Sequence, residues 1–264
     1  MTDTAGRRDR ARFQSERHDE IVRLIFQRGR VEVSELAERF SMTTETIRRD
    51  LDELDRQRVV RRVHGGAVPF ESLKHEPRLA VRNEHFIDEK RRIGSLAIEV
   101  LSEVKTVIID AGSTTMMLCE AIPRDIELSV ATNSLLNAQI LATREKARVF
   151  VVGGTLENNT LAVIDTTAVD AIAKLSVDVA FIGCDGISAA HGLSTPYTAE
   201  ASVKRAMIQA ARRSVALVDH SKFGSDQLVQ IAPCSAFDLI ITDTGLDDNT
   251  TAQVEALGPT VRRA

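Results

Sequence analysis

Apolar residues recur at helical spacing through the first fifth of the chain. Ile21, Leu24 and Ile25 fall at i, i+3 and i+4 behind Ser15, a residue suited to cap a helix, and Gly29 closes the pattern. Val31-Glu32-Val33 reads as a short extended piece. Ser34 is placed to cap a second short helix with Leu36, Ala37 and Phe40 inward. Ser41-Met42-Thr43 reads as a turn, with Thr43 capping a third helix whose Ile47, Leu51 and Leu54 share one face. Arg58 to Val63 is extended and stops at Gly65-Gly66. Helix, helix, tight turn, helix and basic hairpin, in that order, predict a winged helix-turn-helix over residues 15–68.

A polar stretch without periodicity lies between Pro69 and Pro77, which predicts a linker over 69–81. A second domain, 82–264, opens with a helix carrying Ile93, Leu96, Ala97, Val100 and Leu101. From Thr106 the period changes. Short apolar, β-branched runs at Thr106–Ile109, Leu128–Ala131, Val149–Val152, Val177–Ile182, Val215–Val218 and Leu239–Thr242 alternate with helical stretches at 114–122, 134–143, 166–174 and 198–212. Near-continuous apolar strands separated by helices predict a parallel sheet covered on both faces. The expected class is therefore α/β with a small, helical N-terminal head.

Composition narrows the function. The chain has 264 residues, 43% hydrophobic and 27% charged, the balance of a globular protein rather than a disordered one. No apolar run approaches the roughly 18 residues of a membrane helix, so no membrane partner is expected. Met1 to Gln14 is arginine-rich without an apolar stretch, unlike a secretory signal. Cys119, Cys184 and Cys234 are odd in number and far apart, which fits neither a disulfide framework nor a zinc site. The expected setting is the reducing cytoplasm. Net charge is −4, but it is unevenly spread. Residues 1–68 carry 15 of the 27 arginines against 13 acids, a charge of +2, and the remainder carries −6. A basic head on an acidic body points to a head that meets an anion.

The helix after Thr43 is the candidate reading helix. Thr43, Thr44 and Thr46 occupy the turn that usually enters the major groove, and Arg48 and Arg49 can reach phosphates or guanine edges. In the hairpin, Arg61, Arg62 and His64 are placed to meet the adjacent backbone or minor groove. The same charges also form ordinary i,i+4 pairs, Glu45 with Arg49 and Arg48 with Asp52. The order of helices and turn tips the reading to double-stranded DNA.

In the body, Asp110-Ala-Gly-Ser-Thr-Thr115 follows a strand and opens a helix, at the strand end where open α/β sheets bind ligands. Gly112 allows close backbone approach, and Ser113, Thr114 and Thr115 set hydroxyls beside the free N–H groups of a helix start, an anion cradle. Thr132-Asn133-Ser134, Gly153-Gly154 and Gly183-Cys-Asp185-Gly186 follow the next strands at the same end. Lys204 pairs at i,i+4 with Glu200, and Lys222 follows a strand where it can meet a phosphate. There is neither a Walker loop nor a GxGxxG, and no cofactor is expected.

Glu35-Leu-Ala-Glu-Arg-Phe40, Thr46-Ile-Arg-Arg-Asp-Leu51 and Arg62-Val-His-Gly-Gly-Ala67 resemble the signature of the DeoR family of bacterial transcription repressors. The body motifs follow in the family's order, ending with Ser221-Lys-Phe-Gly224, so the resemblance covers nearly the whole chain. It implies a winged helix-turn-helix joined to a sugar-phosphate-sensing domain related in fold to ribose-phosphate isomerases. It implies a non-enzymatic repressor of sugar-metabolism genes, a homo-oligomer that a phosphorylated sugar lifts from operator DNA. The alternative is a sugar-phosphate isomerase with an appended nucleic-acid module, for which Asp185, Glu200 and Lys204 stand where acid/base residues would lie. Two positions depart from the family pattern. Arg58 replaces the usual Gly at the helix-to-wing turn, and Asp165 replaces a Gly, where it either repels a phosphate or caps the following helix.

Overall fold

The computed structural model describes residues 17–25, 30–57, 59–63, 65–69 and 85–264. The chain divides into two compact units, Met1–Pro77 and Arg78–Ala264. Ser15, Gly29, Arg58, His64 and 70–81 of the expected linker lie outside the described residues.

In the first unit α1 spans 17–25 of the described residues, followed by β1 (Val31–Glu32), α2 (Val33–Arg39), α3 (Thr44–Arg56), β2 (Val60–Val63) and β3 (Gly66–Pro69). The apolar stripes read from the sequence meet in one core. Ile21, Leu24 and Ile25 of α1, Leu36 and Ala37 of α2, and Ile47, Leu51 and Leu54 of α3 are buried, as are Val60 and Ala67 of the hairpin. The strands pair in the order β1-β3-β2, antiparallel throughout, so the hairpin β2–β3 is the wing. One expectation is corrected. Ser34 does not cap α2; the helix starts at Val33 with Glu32 in the cap position and no side-chain cap. The Val33 N–H, one of the four that a helix start leaves over, is met by the Gly65 carbonyl of the wing turn, at 2.9 Å.

The second unit is α/β. It opens with α4 (Ile87–Ala97) and a short 3-10 turn, Ile98–Glu103. Then come β4 (Thr106–Ile109), α5 (Ser113–Ala121), β5 (Ser129–Thr132), α6 (Leu135–Leu141) and β6 (Arg148–Val151). A small hairpin, β7 (Leu156–Glu157) and β8 (Ala162–Val163), precedes α7 (Thr166–Ile172) and β9 (Val177–Ile182). β10 (Gly186–Ser188), β11 (Gly192–Thr195), α8 (Thr198–Ala210), β12 (Ala211–Leu217), β13 (Val229–Ala232), β14 (Leu239–Thr242), α9 (Asp248–Glu255) and β15 (Thr260–Arg263) complete it. Seven strands form one parallel sheet in the order β15-β14-β12-β9-β4-β5-β6, and β10-β11-β13 form a separate antiparallel sheet.

Alternation along the central strands divides the core into two layers, as expected for a sheet covered on both faces. Val107 and Ile109 face a layer with Ile93, Leu118 and Leu141, while Ile108 faces the opposite layer with Ile172 and Met207. On the first face α4 and α5 pack backbone to backbone at Gly94, where an added Cβ would lie 2.6 Å from the Met117 carbonyl carbon. The strand order reverses between β4 and β9. The chain runs outward through β5 and β6, then returns to the other side of β4 and continues to β15. Such a switch point leaves a crevice beyond the strand ends.

Candidate functional site: a reading helix and a pocket

In the head, Thr43 caps α3, its Oγ1 accepting the Thr46 N–H at 3.1 Å and lying 2.9 Å from the Thr46 hydroxyl. Thr44 is exposed on the same turn. Arg48 and Arg49 project outward, 54% and 77% exposed, with the Glu45 carboxylate nearby, at 3.8 and 3.4 Å. Exposed pairs of this kind contribute a few tenths of a kcal/mol, roughly, and exchange readily for a phosphate. On its inner side α3 is fixed by Asp50, buried and bonded to Arg17 Nε at 2.7 Å and His18 Nε2 at 3.0 Å. Burial opposes the Asp50 charge, but His18 and Arg17 outweigh it and hold the carboxyl below its usual range. Nothing in the helical stripe singled Asp50 out, because its partners sit more than 30 residues upstream. In the wing Arg61 is exposed. Arg62 turns back, Nη1 donating to the Arg48 carbonyl at 3.0 Å and to Asp52 at 2.9 Å, so it braces the wing on α3.

In the body, Asp110 stands at the switch point. Its N–H bonds to the Phe181 carbonyl of β9 and its carboxylate accepts the Gly183 N–H at 3.0 Å, which ties the ends of β4 and β9 together. Lys204 of α8 rises beneath it, buried like Asp110 and bonded to it. The ammonium also bonds Glu200 at 3.0 Å and the Gly183 carbonyl at 3.1 Å. Burial alone would discharge Lys204; Asp110 and Glu200 more than offset it and hold its pKa above the ordinary lysine range. The cluster therefore sets one ammonium between the carboxyl groups of Asp110 and Glu200.

A narrow pocket opens beside this cluster, lined by Asp110, Ala111, Gly112, Asn133, Thr160, Ala162, Ile164 and Glu200. Asn133 braces two walls, its Oδ1 accepting the Ala111 N–H at 3.0 Å and its Nδ2 donating to the Val163 carbonyl at 3.1 Å. Thr132 Oγ1 accepts the Ser134 N–H, and Ser134 caps α6 through the Asn137 N–H. Ser113, Thr114 and Thr115 form the buried first turn of α5, with Thr115 Oγ1 donating to the Gly112 carbonyl. Gly112 begins that helix without a side-chain cap, whereas α6 and α7 are capped by Ser134 and Asp165.

Asp110, Gly112 and Asn133 of the expected ligand residues thus line one pocket, with Lys204 directly behind. Asp185 lies close by: burial raises the Tyr197 phenol, and Glu200, Asp185 and Glu157 raise it further. Ser113, Thr114, Thr115, Thr132, Ser134, Gly153, Gly154, Asp185, Lys204 and Lys222 are not among the lining residues. Gly154, at φ +143°, abuts Asp165, whose carboxylate accepts the Thr155 N–H at 2.7 Å and the Ala168 N–H at 3.0 Å. Those backbone bonds hold the Asp165 carboxyl below its usual range. Of the two roles open to Asp165 from the sequence, the structure gives the cap. Lys222 lies on the turn after β12, near Asp219 and Cys184. The same turn holds His220, whose Nδ1 bonds Asp243 at 2.7 Å. Thr160, Ala162 and Ile164 escape sequence reasoning because the β7–β8 strands are two residues each, too short to show a period; Asn158-Asn159 between them is the available turn signal. The three cysteines are free and buried, and no helix among the described residues is long and apolar enough to cross a membrane.

A winged head with an arginine-bearing helix turned outward, and an α/β body with a polar pocket at its switch point, define a regulator that couples DNA reading to a sensor. Comparison with known proteins agrees. A DeoR-like helix-turn-helix domain matches residues 17–72, and a DeoR C terminal sensor domain matches 85–244. The chain is 35% identical over 247 residues to the HTH-type transcriptional regulator GlpR of Haloferax volcanii, covering 94% of this chain and 96% of that one. It is 34% identical to the glycerol-3-phosphate regulon repressor of Escherichia coli, covering 87% and 91%. To the HTH-type transcriptional repressor GlcR of Bacillus subtilis it is 32% identical, covering 88% and 89%. The chain belongs to the DeoR family of DNA-binding transcription regulators. Among solved structures, ribose 5-phosphate isomerase A from Neisseria gonorrhoeae aligns with a TM-score of 0.38 at 18% identity, over 56% of each chain.

Proposed function

We propose that this chain is a repressor whose head holds operator DNA and whose body binds a phosphorylated sugar that releases it. The observation that carries the reading is the start of α5. Gly112, the residue just before it, lines the pocket, and the helix starts with no side-chain cap, an arrangement in which its first N–H groups and its dipole favour an anion. Asp110 and Glu200 then suit the sugar portion, since carboxylates accept hydroxyl hydrogen bonds and would repel the phosphate toward the helix start. Lys222, on a neighbouring turn, adds a positive charge near the same strand ends. One of the relatives is named for a phosphorylated polyol regulon, which fits a ligand of this chemistry. Because one reading helix covers only a few base pairs, the working form is a homo-oligomer with at least two heads.

The test is an operator gel shift. DNA selected by the full chain from a random pool is challenged with triose, pentose and hexose phosphates, glycerol 3-phosphate, the matching free sugars and inorganic phosphate. At least one phosphorylated compound should release the DNA while its free sugar and phosphate alone do not. Equal release by the free sugar, or no release by any phosphorylated compound, overturns the reading.

A further inference from the structure

Four side chains bring polar atoms to the pocket wall, and three have their hydrogen bonds inside the protein. Asp110 is bonded to Lys204 and the Gly183 N–H. Asn133 is bonded through both amide atoms, to Ala111 and Val163. Glu200 is bonded to Lys204 and, at 2.8 Å, to the Thr195 hydroxyl. Thr160 differs: its Oγ1 is buried and has no hydrogen-bond partner among the described residues. Buried hydroxyls are nearly always paired, so one left over at a pocket wall is a group available to a ligand.

Its position is set by the backbone on either side. Leu161, at φ +53°, donates its N–H to the Glu157 carbonyl at 2.8 Å, and its carbonyl accepts the Leu135 N–H at 3.1 Å. Ala162 bridges to Ser134, the Val163 N–H bonds the Asn133 carbonyl at 2.8 Å, and Asp165 clamps the base of the hairpin through Thr155. These bonds fix the backbone that follows Thr160, and Ala162 and Ile164 line the pocket with it as apolar residues.

We propose that the β7–β8 hairpin is the selective wall of this pocket, with the Thr160 hydroxyl bonding a ligand hydroxyl while Ala162 and Ile164 cover the adjoining carbon face. A threonine hydroxyl donates and accepts, as a sugar hydroxyl does, whereas the carboxylates opposite can only accept. Thr160 thus distinguishes a hydroxyl from a hydrogen at one carbon, the kind of discrimination a polar site makes well and an apolar one poorly. The inference rests on the sugar-phosphate reading above and names the part of the pocket that selects among such ligands.

The experiment compares the full chain with Thr160→Val, which keeps the shape and removes the hydroxyl, and Thr160→Ser, which keeps the hydroxyl. For the sugar phosphate that releases DNA most effectively, Thr160→Val should need about tenfold more of it, while Thr160→Ser stays near the parent. Operator affinity without ligand should be the same in all three. A set of deoxy analogues of that sugar phosphate supplies the second arm. The analogue lacking the hydroxyl read by Thr160 should bind the parent about tenfold more weakly than the full ligand and lose nothing further on Thr160→Val. Equal response of Thr160→Val and parent overturns the inference alone. If no sugar phosphate releases even the parent, the functional reading fails and the assignment of Thr160 fails with it.

Discussion

His220 and Lys204 are both enclosed with carboxylates, but only an imidazole has an ordinary pKa near neutrality. Burial works against the His220 charge, and the bond to Asp243, with Asp219 and Glu89 nearby, outweighs it, so the imidazole pKa is raised. Asp243 is held low, against its own burial, by the same bond. The Phe86 ring stands edge-on, 5.1 Å from the imidazole, and closes that side. A histidine raised on folding stabilises fully below its unfolded pKa, about 6.5, and loses that contribution as pH rises through the folded value. Asp243, lowered on folding, contributes above its unfolded value, about 3.9, and loses that as pH falls toward the folded one. The pair therefore helps most between about pH 4 and 6.5. Urea unfolding of the parent and His220→Gln should show the largest gap within that window, shrinking as the pH rises above it. A gap constant from slightly acid to alkaline pH would mean that the imidazole carries no charge in the folded protein.

At the scale of elements, Gly94 decides how closely α4 meets α5. With no Cβ it lets the two backbones touch, and an alanine there would press on the Met117 carbonyl, which cannot swing aside. Gly94→Ala should cost about 1–3 kcal/mol by overpacking, more than the ~1 kcal/mol that alanine gains as a helix former. Gly153→Ala, with open space around the added carbon, is the control and should be near neutral in the same unfolding experiment. Gly94 gave no warning in the sequence, where an interior helical glycine reads only as a weak spot. The inner strands β4, β9 and β14 were legible residue for residue, since strands buried on both faces are apolar almost throughout, Asp178 of β9 being the exception within a strand. The hairpin β7–β8, the β10-β11-β13 sheet and β15 were not, being two to four residues long and mixed in polarity. The site divides the same way. Asp110, Gly112 and Asn133 follow legible strands, so their gathering at one end could be read from the chain. Thr160 arrives on the illegible hairpin, and His220 finds Asp243 only because β12 and β14 are neighbours.

For the whole molecule, the proposed function requires a pocket in one unit to govern a helix in another. A ligand shifts DNA binding only by preferring the arrangement of heads that fits DNA poorly, and a hundredfold loss of operator affinity requires about 2.7 kcal/mol of such preference. In the proposed homo-oligomer two heads would give that preference leverage, because a two-fold operator would fix their spacing while a single half-site would not. Half-sites should then repeat at whole helical turns, about 10–10.5 base pairs or multiples, with a two-fold footprint. Each head should rely on Arg48 and Arg49, the exposed cations of α3 that lie 3.8 and 3.4 Å from Glu45. With both replaced by alanine, operator binding should weaken. If either arginine meets a phosphate, the slope of log affinity against log salt should fall by about one for each phosphate no longer neutralised. If instead an arginine reads a base edge, its removal should cost about 1–3 kcal/mol at one operator position and leave the salt slope nearly unchanged. Arg62, committed to bracing the wing against α3, should behave differently: its replacement should lower the stability of the head as well as its affinity. A double variant that binds operator as the parent does across the whole salt titration would show that α3 is not the reading helix, and a footprint confined to one unsymmetrical half-site would show that one head suffices.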